Sequence, residues 1–467
     1  MSFSFLLSLK PGISIIETNE KVALQSHNTS LLLEQLSPGL LAAIRMLERD
    51  SISEDALSDL VLQTDGIAAL PRFYYFLEKF TNLGLICYSV CGDVNLATMI
   101  PVMEGRIQLS EVPGHQKCLL SRFAYCHQQD NQMVLESPLA PAIIILHDWR
   151  STAALSLLVT PQTPAELSNQ IPGLSPDIAR LLLSLFLTVG AVYKVTEDNV
   201  LPEAIPPLVQ WEFHDLLFHA RSRSGRHNNP EGMTHRFLSE IAPIPAVKKQ
   251  EFTEVIPLYQ PDIEKLKAED YPFTRIVEER TSIRSYGEMP ITERELGEFL
   301  YRCARVRNIF PKDNMESTSR PYPSGGGCYE LELYLAVNAC DHIRSGLYHY
   351  CPQQHQLGKI VDKNRHVEAL LEDARLAASG QQHQPQVLII LAARFPRVTW
   401  GYSSIAYATL LKNVGALYQN MYLVATAMNL APCALGGGNS DLFAAAVGLD
   451  YYGESSVGEF MLGSIPE

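Results

Sequence analysis

The first 200 residues repeat themselves, and this repetition limits the fold more than any other feature of the chain. The first copy contains KVALQS (residues 21–26), a helical stretch through Leu40, Leu41, Ala42, Ala43 and Ile44, then ISEDALSDLVL, and closes with FLEKFTNLGLICYSV. The second contains QMVLES (132–137), a helical stretch through 153–157, then TPAELSNQI, and closes with LLLSLFLTVGAVYKV. Each copy reads strand, helix, polar-capped helix, helix, glycine, strand. Ser53 and Thr163 stand where N-caps are expected, each followed by an acidic residue within the first turn. Gly84 and Gly190 stand at matching helix ends, where a left-handed residue would stop the helix.

A helix-turn-helix followed by a strand is a winged-helix pattern. Two such units are therefore expected, over residues 1–100 and 101–200. Their third helices, expected at 71–82 and 175–189, carry aromatics and leucines but few cations. Binding to a nucleic-acid backbone depends on Lys and Arg to neutralise phosphates, and the whole chain has a formal net charge of −14. Neither nucleic acid nor an anionic membrane is an expected partner. Two readings stay open for these units: peptide binding at a sheet edge or helix groove, or packing without a ligand.

The 467 residues are 46% apolar and 19% charged, a globular composition with room for two to four domains. Nine cysteines include no CxxC pair and complete no zinc pattern, so they read as reduced thiols. The opening MSFSFLLSLK lacks a basic n-region and a small-residue cleavage site and reads as a strand. The longest nearly apolar run, 181–193, is too short to span a bilayer. A soluble, cytoplasmic protein without a membrane segment is expected. Residues 201–255 form a connector around a helix at 211–227. His214 and His219 lie five apart, not at the spacing of a helical metal pair, and no metal is assigned.

Residues 256–467 have a mixed pattern. Buried strands are expected at 331–339 and 386–395, helices at 295–302, 366–378 and 403–428, and VGEFMLGSI as a final strand or extended arm. The last helix is apolar nearly all round. It is expected to be buried, with Gly415 permitting close approach of another backbone or ring.

Walker A, GxGxxG, GxSxG and HExxH motifs are absent, which argues against triphosphate, dinucleotide, hydrolase and zinc-protease sites. Three other runs carry chemistry. RTSIRSY (280–286) brings Arg280, Thr281, Ser282 and Arg284 to one locus, a set that suits a phosphate. Alone it would equally suit a structural salt-bridge site. YPSGGGCYELELY (322–334) sets Pro323, Ser324 and Gly325 before a strand. Its glycines would let backbone N–H groups reach a planar or anionic ligand, or merely form a tight turn. LGGGNSD (435–441) repeats the device with Leu435, Gly436 and Gly437. Two glycine loops and an arginine pair suit a flat, phosphate-bearing cofactor.

The order of R-x-S-x-R, PSGG, GLYHY (346–350), WGY (400–402) and LGGG, preceded by WEFHDLLFHARSRSGR, resembles the SagB-type dehydrogenases. These are nitroreductase-fold FMN enzymes of azole-peptide biosynthesis. The likeness is greatest to the cyanobactin thiazoline oxidases, which carry tandem winged-helix peptide-recognition elements, and it covers nearly the whole chain. The resemblance implies an α+β protein with a C-terminal nitroreductase-like FMN domain (256–467) behind two tandem winged-helix units. It implies a homodimer with FMN at the interface and an azoline-containing precursor peptide as partner. Arg280, Thr281, Ser282 and Arg284 match the family's phosphate and ribityl segment. Pro323, Ser324 and Gly325 match the loop that crosses the dimer interface to the flavin. Leu435, Gly436 and Gly437 match the loop beside the ring.

One departure matters. Where relatives have Lys-Tyr, this chain has Gly401-Tyr402. Lys412, inside an apolar helix where a bare cation is costly, could supply the missing amine or be an ordinary surface or salt-bridged lysine. Tyr402 and Lys412 are the candidate catalytic pair. An NAD(P)H-dependent flavin reductase and a non-catalytic peptide-binding scaffold are the alternative functions.

Overall fold

The computed structural model describes residues 4–18, 21–25, 30–103, 105, 107–196, 201–378 and 384–466. The chain divides into two compact units, Met1–Asn229 and Pro230–Glu467.

In the first unit both repeats share one antiparallel sheet. Its strand order is Ile52–Ser53, Leu6–Leu9, Ile86–Cys91, Asn95–Pro101, Ala142–Leu146, Gln132–Glu136, Tyr125–Gln129. The repeats join where Asn95–Pro101 pairs with Ala142–Leu146, from Ala142 opposite Pro101 to Leu146 opposite Ala97. Each repeat contributes three helices: Pro38–Arg49, Glu54–Asp65 and Leu70–Asn82, then Trp149–Leu157, Pro164–Gln170 and Pro176–Thr188. The expected caps are present. The Ser53 hydroxyl accepts from Ala56 N–H, and Thr163 forms a capping box with Glu166. Both third helices end identically. Leu85 N–H donates to Phe80 carbonyl and Ala191 N–H to Phe186 carbonyl, with Gly84 at φ +65° and Gly190 at φ +62°. That six-to-one bond with a left-handed glycine is a Schellman stop.

The third helices differ in what they offer. Leu70–Asn82 buries Phe73, Phe76, Leu77 and Phe80 and leaves Tyr74 and Tyr75 exposed. Pro176–Thr188 is enclosed by core on most of its surface, from Ile178 through Phe186. The second helix of this type therefore has little apolar surface left to present to a ligand.

The second unit is a three-layer sandwich. Its antiparallel sheet runs Val255–Pro257, Gln356–Asp362, Gly346–Cys351, Leu331–Val337, Val387–Arg394, Glu454–Ser464, Leu430–Leu435. Leu331, Leu333, Leu335 and Val337 pack in one core with the helices Glu293–Ala304 and Ala406–Ala427. Tyr334 and Ala336 pack in the other with Arg365–Ala377 and Ser440–Val447. Covered on both faces, the strand reads as a continuous apolar run rather than an alternating one. VGEFMLGSI is an interior strand, paired on both sides.

Two expectations are corrected. The long helix begins at Ala406, because residues 402–403 instead form a two-residue strand opposite Gly232–Met233. Nor is this helix buried all round. Tyr407 is 48% and Leu411 40% exposed, Lys412 and Gly415 are exposed, and a methyl group added at Gly415 would meet nothing within 4 Å. One face packs against the sheet and another is exposed. Among the described residues no helix is long and apolar enough to cross a membrane.

Candidate functional site

The RTSIRSY segment follows the helix Phe273–Glu279 and lies along the strand Leu430–Leu435, which leads into the late glycine loop. Ile283 N–H donates to Pro432 carbonyl at 2.9 Å. The Ser282 and Tyr422 hydroxyls are 2.9 Å apart, and Ala434 N–H donates to the Tyr422 oxygen at 2.8 Å. Tyr422 of the long helix thus ties the arginine segment to the strand. The Arg280 guanidinium lies 5.3 Å from the Tyr422 ring centroid. Arg284 is exposed and lies near the Cys433 thiol, whose pKa burial pushes up while Arg284 pulls it down. Among the described residues neither Arg280 nor Arg284 forms an ion pair, and Thr281 is exposed beside them. Two guanidinium groups without an acid partner, with hydroxyl residues between them in sequence, suit an oxyanion.

Leu435, Gly436 and Gly437 border a cavity of about 320 Å³, completed by Tyr418, Gly438, Ser440 and residues 456–459. Gly436 and Gly437 have open space where side chains would stand, so their peptide groups are accessible. Gly438 is different. A Cβ there would run into the carboxyl of Glu459. Glu459 is 8% exposed on its residue surface, and burial raises its carboxyl pKa.

The PSGGG loop is anchored elsewhere on the same helix. Asn413, 5% exposed, accepts from Gly325 N–H at 2.9 Å through its Oδ1. Its amide nitrogen donates to Ser324 Oγ at 3.1 Å and to the Glu330 carboxylate at 2.8 Å. Ser324 Oγ in turn accepts from Tyr329 N–H at 3.0 Å. A Cβ at Gly325 would strike Thr409. Gly326 (φ +63°) packs under Tyr402, whose hydroxyl would lie 2.6 Å from an added Cβ. From the hairpin Asn308–Lys312 and Met315–Ser319, Lys312 donates to Gly326 carbonyl at 2.8 Å and Ser317 to Gly327 carbonyl at 2.6 Å. Behind the loop, Arg397 is fully buried and donates to the carbonyls of Cys328, Ile244 and Glu316. Burial pushes its pKa down to about 10. Pro323 is exposed at the loop's entry.

The arginine segment and the late glycine loop are tied to one strand, and the PSGGG loop is anchored on an earlier stretch of the helix. Its anchors Thr409 and Asn413 sit on the first half of the helix, whereas Tyr418 and Tyr422 serve the other two motifs. From Asn413 the helix rises about 7.5 Å to Tyr418 and about 13.5 Å to Tyr422. Tyr402 belongs to the PSGGG locus. Lys412 is exposed and makes no ion pair among the described residues, so the burial cost that singled it out does not arise in the single chain. Burial raises the Tyr402 pKa, with Cys328 and Glu330 adding to the effect.

Sequence reasoning missed Asn413, Arg397, Glu330 and Glu459. Glu330 carried a usable signal: it directly precedes, and Glu332 interrupts, an otherwise apolar buried strand, and both are within 1% of complete burial. Glu330 is pushed up by desolvation, against the pull of Asn413 and Ser324. Asn413 and Arg397 carried none, since each acts on backbone far away in sequence. The described residues bring three side chains able to ligate a metal close together only at Glu212, His214 and Asp215, all exposed in the first unit.

Comparison with known proteins follows this division. Residues 1–110 match the family model of the ThcOx helix-turn-helix domain, residues 118–228 that of the cyanobactin oxidase ThcOx, and residues 277–464 that of the nitroreductase family. A protein of Methanocaldococcus jannaschii described as a nitroreductase is 31% identical over 178 residues, 38% of this chain and 81% of that protein. The microcin B17-processing protein McbC of Escherichia coli is 26% identical over 147 residues, 31% of this chain. The aligned region spans only about half of McbC, 53%. The solved E. coli microcin synthetase McbBCD complex with truncated pro-MccB17 bound shares 20% identity, with a TM-score of 0.34, covering 49% of this chain and 89% of that one.

Proposed function

Because this chain belongs to the nitroreductase family, we propose that it is an FMN-dependent oxidoreductase that converts azoline rings of a ribosomally made, cyanobactin-type peptide to azoles. The match of the first unit to the cyanobactin oxidase models and the similarity to McbC support the choice of substrate. The observation that carries the cofactor is the pairing of Arg280 and Arg284, free of acid partners, with the open glycine backbone of residues 436–437 a strand away. The residues fit FMN. Arg280, Arg284, Thr281 and Ser282 would hold the phosphate and ribityl chain. Leu435, Gly436 and Gly437 would border the ring.

The anchoring of the PSGGG loop on an earlier stretch of the helix than the other two motifs, beside an exposed helix stripe, supports a homodimer. The exposed stripe of the long helix, with Leu411, Lys412 and Gly415, would be covered by a second copy, whose Pro323, Ser324 and Gly325 would complete the site. FMN supplies, when bound, a two-electron acceptor for hydride from an azoline ring carbon. The chain orients the ring and handles the proton lost from the adjacent carbon. Tyr402, with its pKa raised, is a neutral phenol at neutral pH and acts as a hydrogen-bond donor. Lys412, brought to the interface by the dimer, is the proposed base and must lose its proton to act.

The deciding experiment mixes the yellow protein anaerobically with a thiazoline peptide and follows absorbance near about 450 nm and peptide mass. Bleaching with loss of about 2 Da per ring is expected. Bleaching by NADPH but not by peptide would make the protein a flavin reductase, and no bleaching by either would leave a peptide-binding scaffold.

A further inference from the structure

The cavity at the late glycine loop contains a carboxyl that the reaction above does not use. Glu459 pairs across the sheet with Leu435 on one side and Ile390 on the other, and it lines the cavity wall with Gly438 lying directly over its carboxyl. No side chain is tolerated at residue 438 while that carboxyl holds its place.

The groups around Glu459 are neutral. Its own strand provides Ser456, whose hydroxyl opposes the rise in its pKa. The loop and the helix start provide Gly438 and Ser440, and the long helix provides Tyr418. The flanking strands provide apolar Leu435 and Ile390. No Arg, Lys or His pairs with it among the described residues. Burial without a cation disfavours the ionised form of a carboxyl, and burial raises this one's pKa. In its protonated form it offers an O–H donor and a C=O acceptor side by side.

Resting on the flavin reading, we propose that Glu459 is the residue that reads the amide edge of the bound ring. Its carboxyl would donate to a ring carbonyl and accept from the adjacent ring N–H. The pyrimidinedione edge of a flavin has this pattern, one N–H between two carbonyls. The division of labour follows from charge. The arginine segment suits the anionic phosphate, and a neutral carboxyl suits the neutral ring edge, where a carboxylate would repel both carbonyl oxygens.

The test is binding rather than turnover. Full-length protein freed of flavin is titrated with FMN and with N3-methyl-FMN, following flavin fluorescence between acidic and alkaline pH. In the wild type, FMN affinity should fall about tenfold per pH unit once pH passes the Glu459 pKa, because only the protonated form pairs. Glu459→Gln keeps a donor and an acceptor at every pH and should bind FMN with that pH dependence gone. N3-methyl-FMN should bind the wild type at least about tenfold more weakly than FMN, since its partner is blocked, whereas Glu459→Leu should not discriminate. Equal affinity of the wild type for the two flavins, or an unchanged pH profile in Glu459→Gln, overturns the assignment while leaving FMN as cofactor. Failure of the wild type to bind FMN at any pH overturns the flavin reading itself. Should Glu459→Leu not fold, the Gln variant and the methylated flavin decide the matter alone.

Discussion

Asn413 offers the sharpest test of how the long helix holds the PSGGG loop. Asn413→Leu keeps the branched heavy-atom shape, with somewhat bulkier methyl groups, and removes three hydrogen bonds, those to Gly325 N–H, Ser324 Oγ and the Glu330 carboxyl. Ser324 Oγ retains Tyr329 N–H, so its loss is small. Gly325 N–H loses its acceptor at a cost of about 1 kcal/mol. The fully buried Glu330 loses a donor at a cost of about 2 kcal/mol, because one partner of a buried carboxyl is gone and the other remains. The expected total is about 3 kcal/mol. For a unit of the size of Pro230–Glu467, this lowers Tm by about 6–12 °C. Calorimetry of the variant beside the wild type measures it directly. Asn413→Asp sharpens the result. It keeps an acceptor for Gly325 N–H but sets a second carboxyl against Glu330, so its deficit should grow with pH. A Tm for Asn413→Leu within about 2 °C of wild type would refute the claim that this amide carries the loop.

Three further outcomes are expected. Glu330 has its pKa raised by burial, so its protonated form contributes stability that is full below the unfolded carboxyl value and lost as pH rises through the folded one. Glu330→Gln should flatten that part of the stability–pH curve, which urea unfolding from pH 4 upward would record. Gly326→Ala places a Cβ 2.6 Å from the Tyr402 hydroxyl in a left-handed backbone. It should cost about 1–3 kcal/mol by denaturant unfolding and displace Tyr402, lowering azoline turnover more than FMN affinity. Arg280→Ala and Arg284→Ala should each weaken FMN binding by about tenfold or more and reduce its salt dependence. Riboflavin affinity, which involves no phosphate, should change little.

The sequence by itself determined the local and periodic features. Ser53, Thr163, Gly84 and Gly190 set helix ends because capping and left-handed stops depend on neighbours within a turn. The duplication, the doubly buried strands and the two glycine loops were legible for the same reason. Tertiary structure decided what those elements do to each other. That Asn413 and Arg397 hold the PSGGG loop, that Tyr422 ties the arginine segment to the strand Leu430–Leu435, and that Glu459 sits beneath Gly438 all depend on residues far apart in the chain. The same holds for the long helix. Its composition reads as buried all round, but composition cannot distinguish a face covered by the chain's own sheet from one left exposed. Lys412 falls on that open face, and only the packed structure makes its exposure visible.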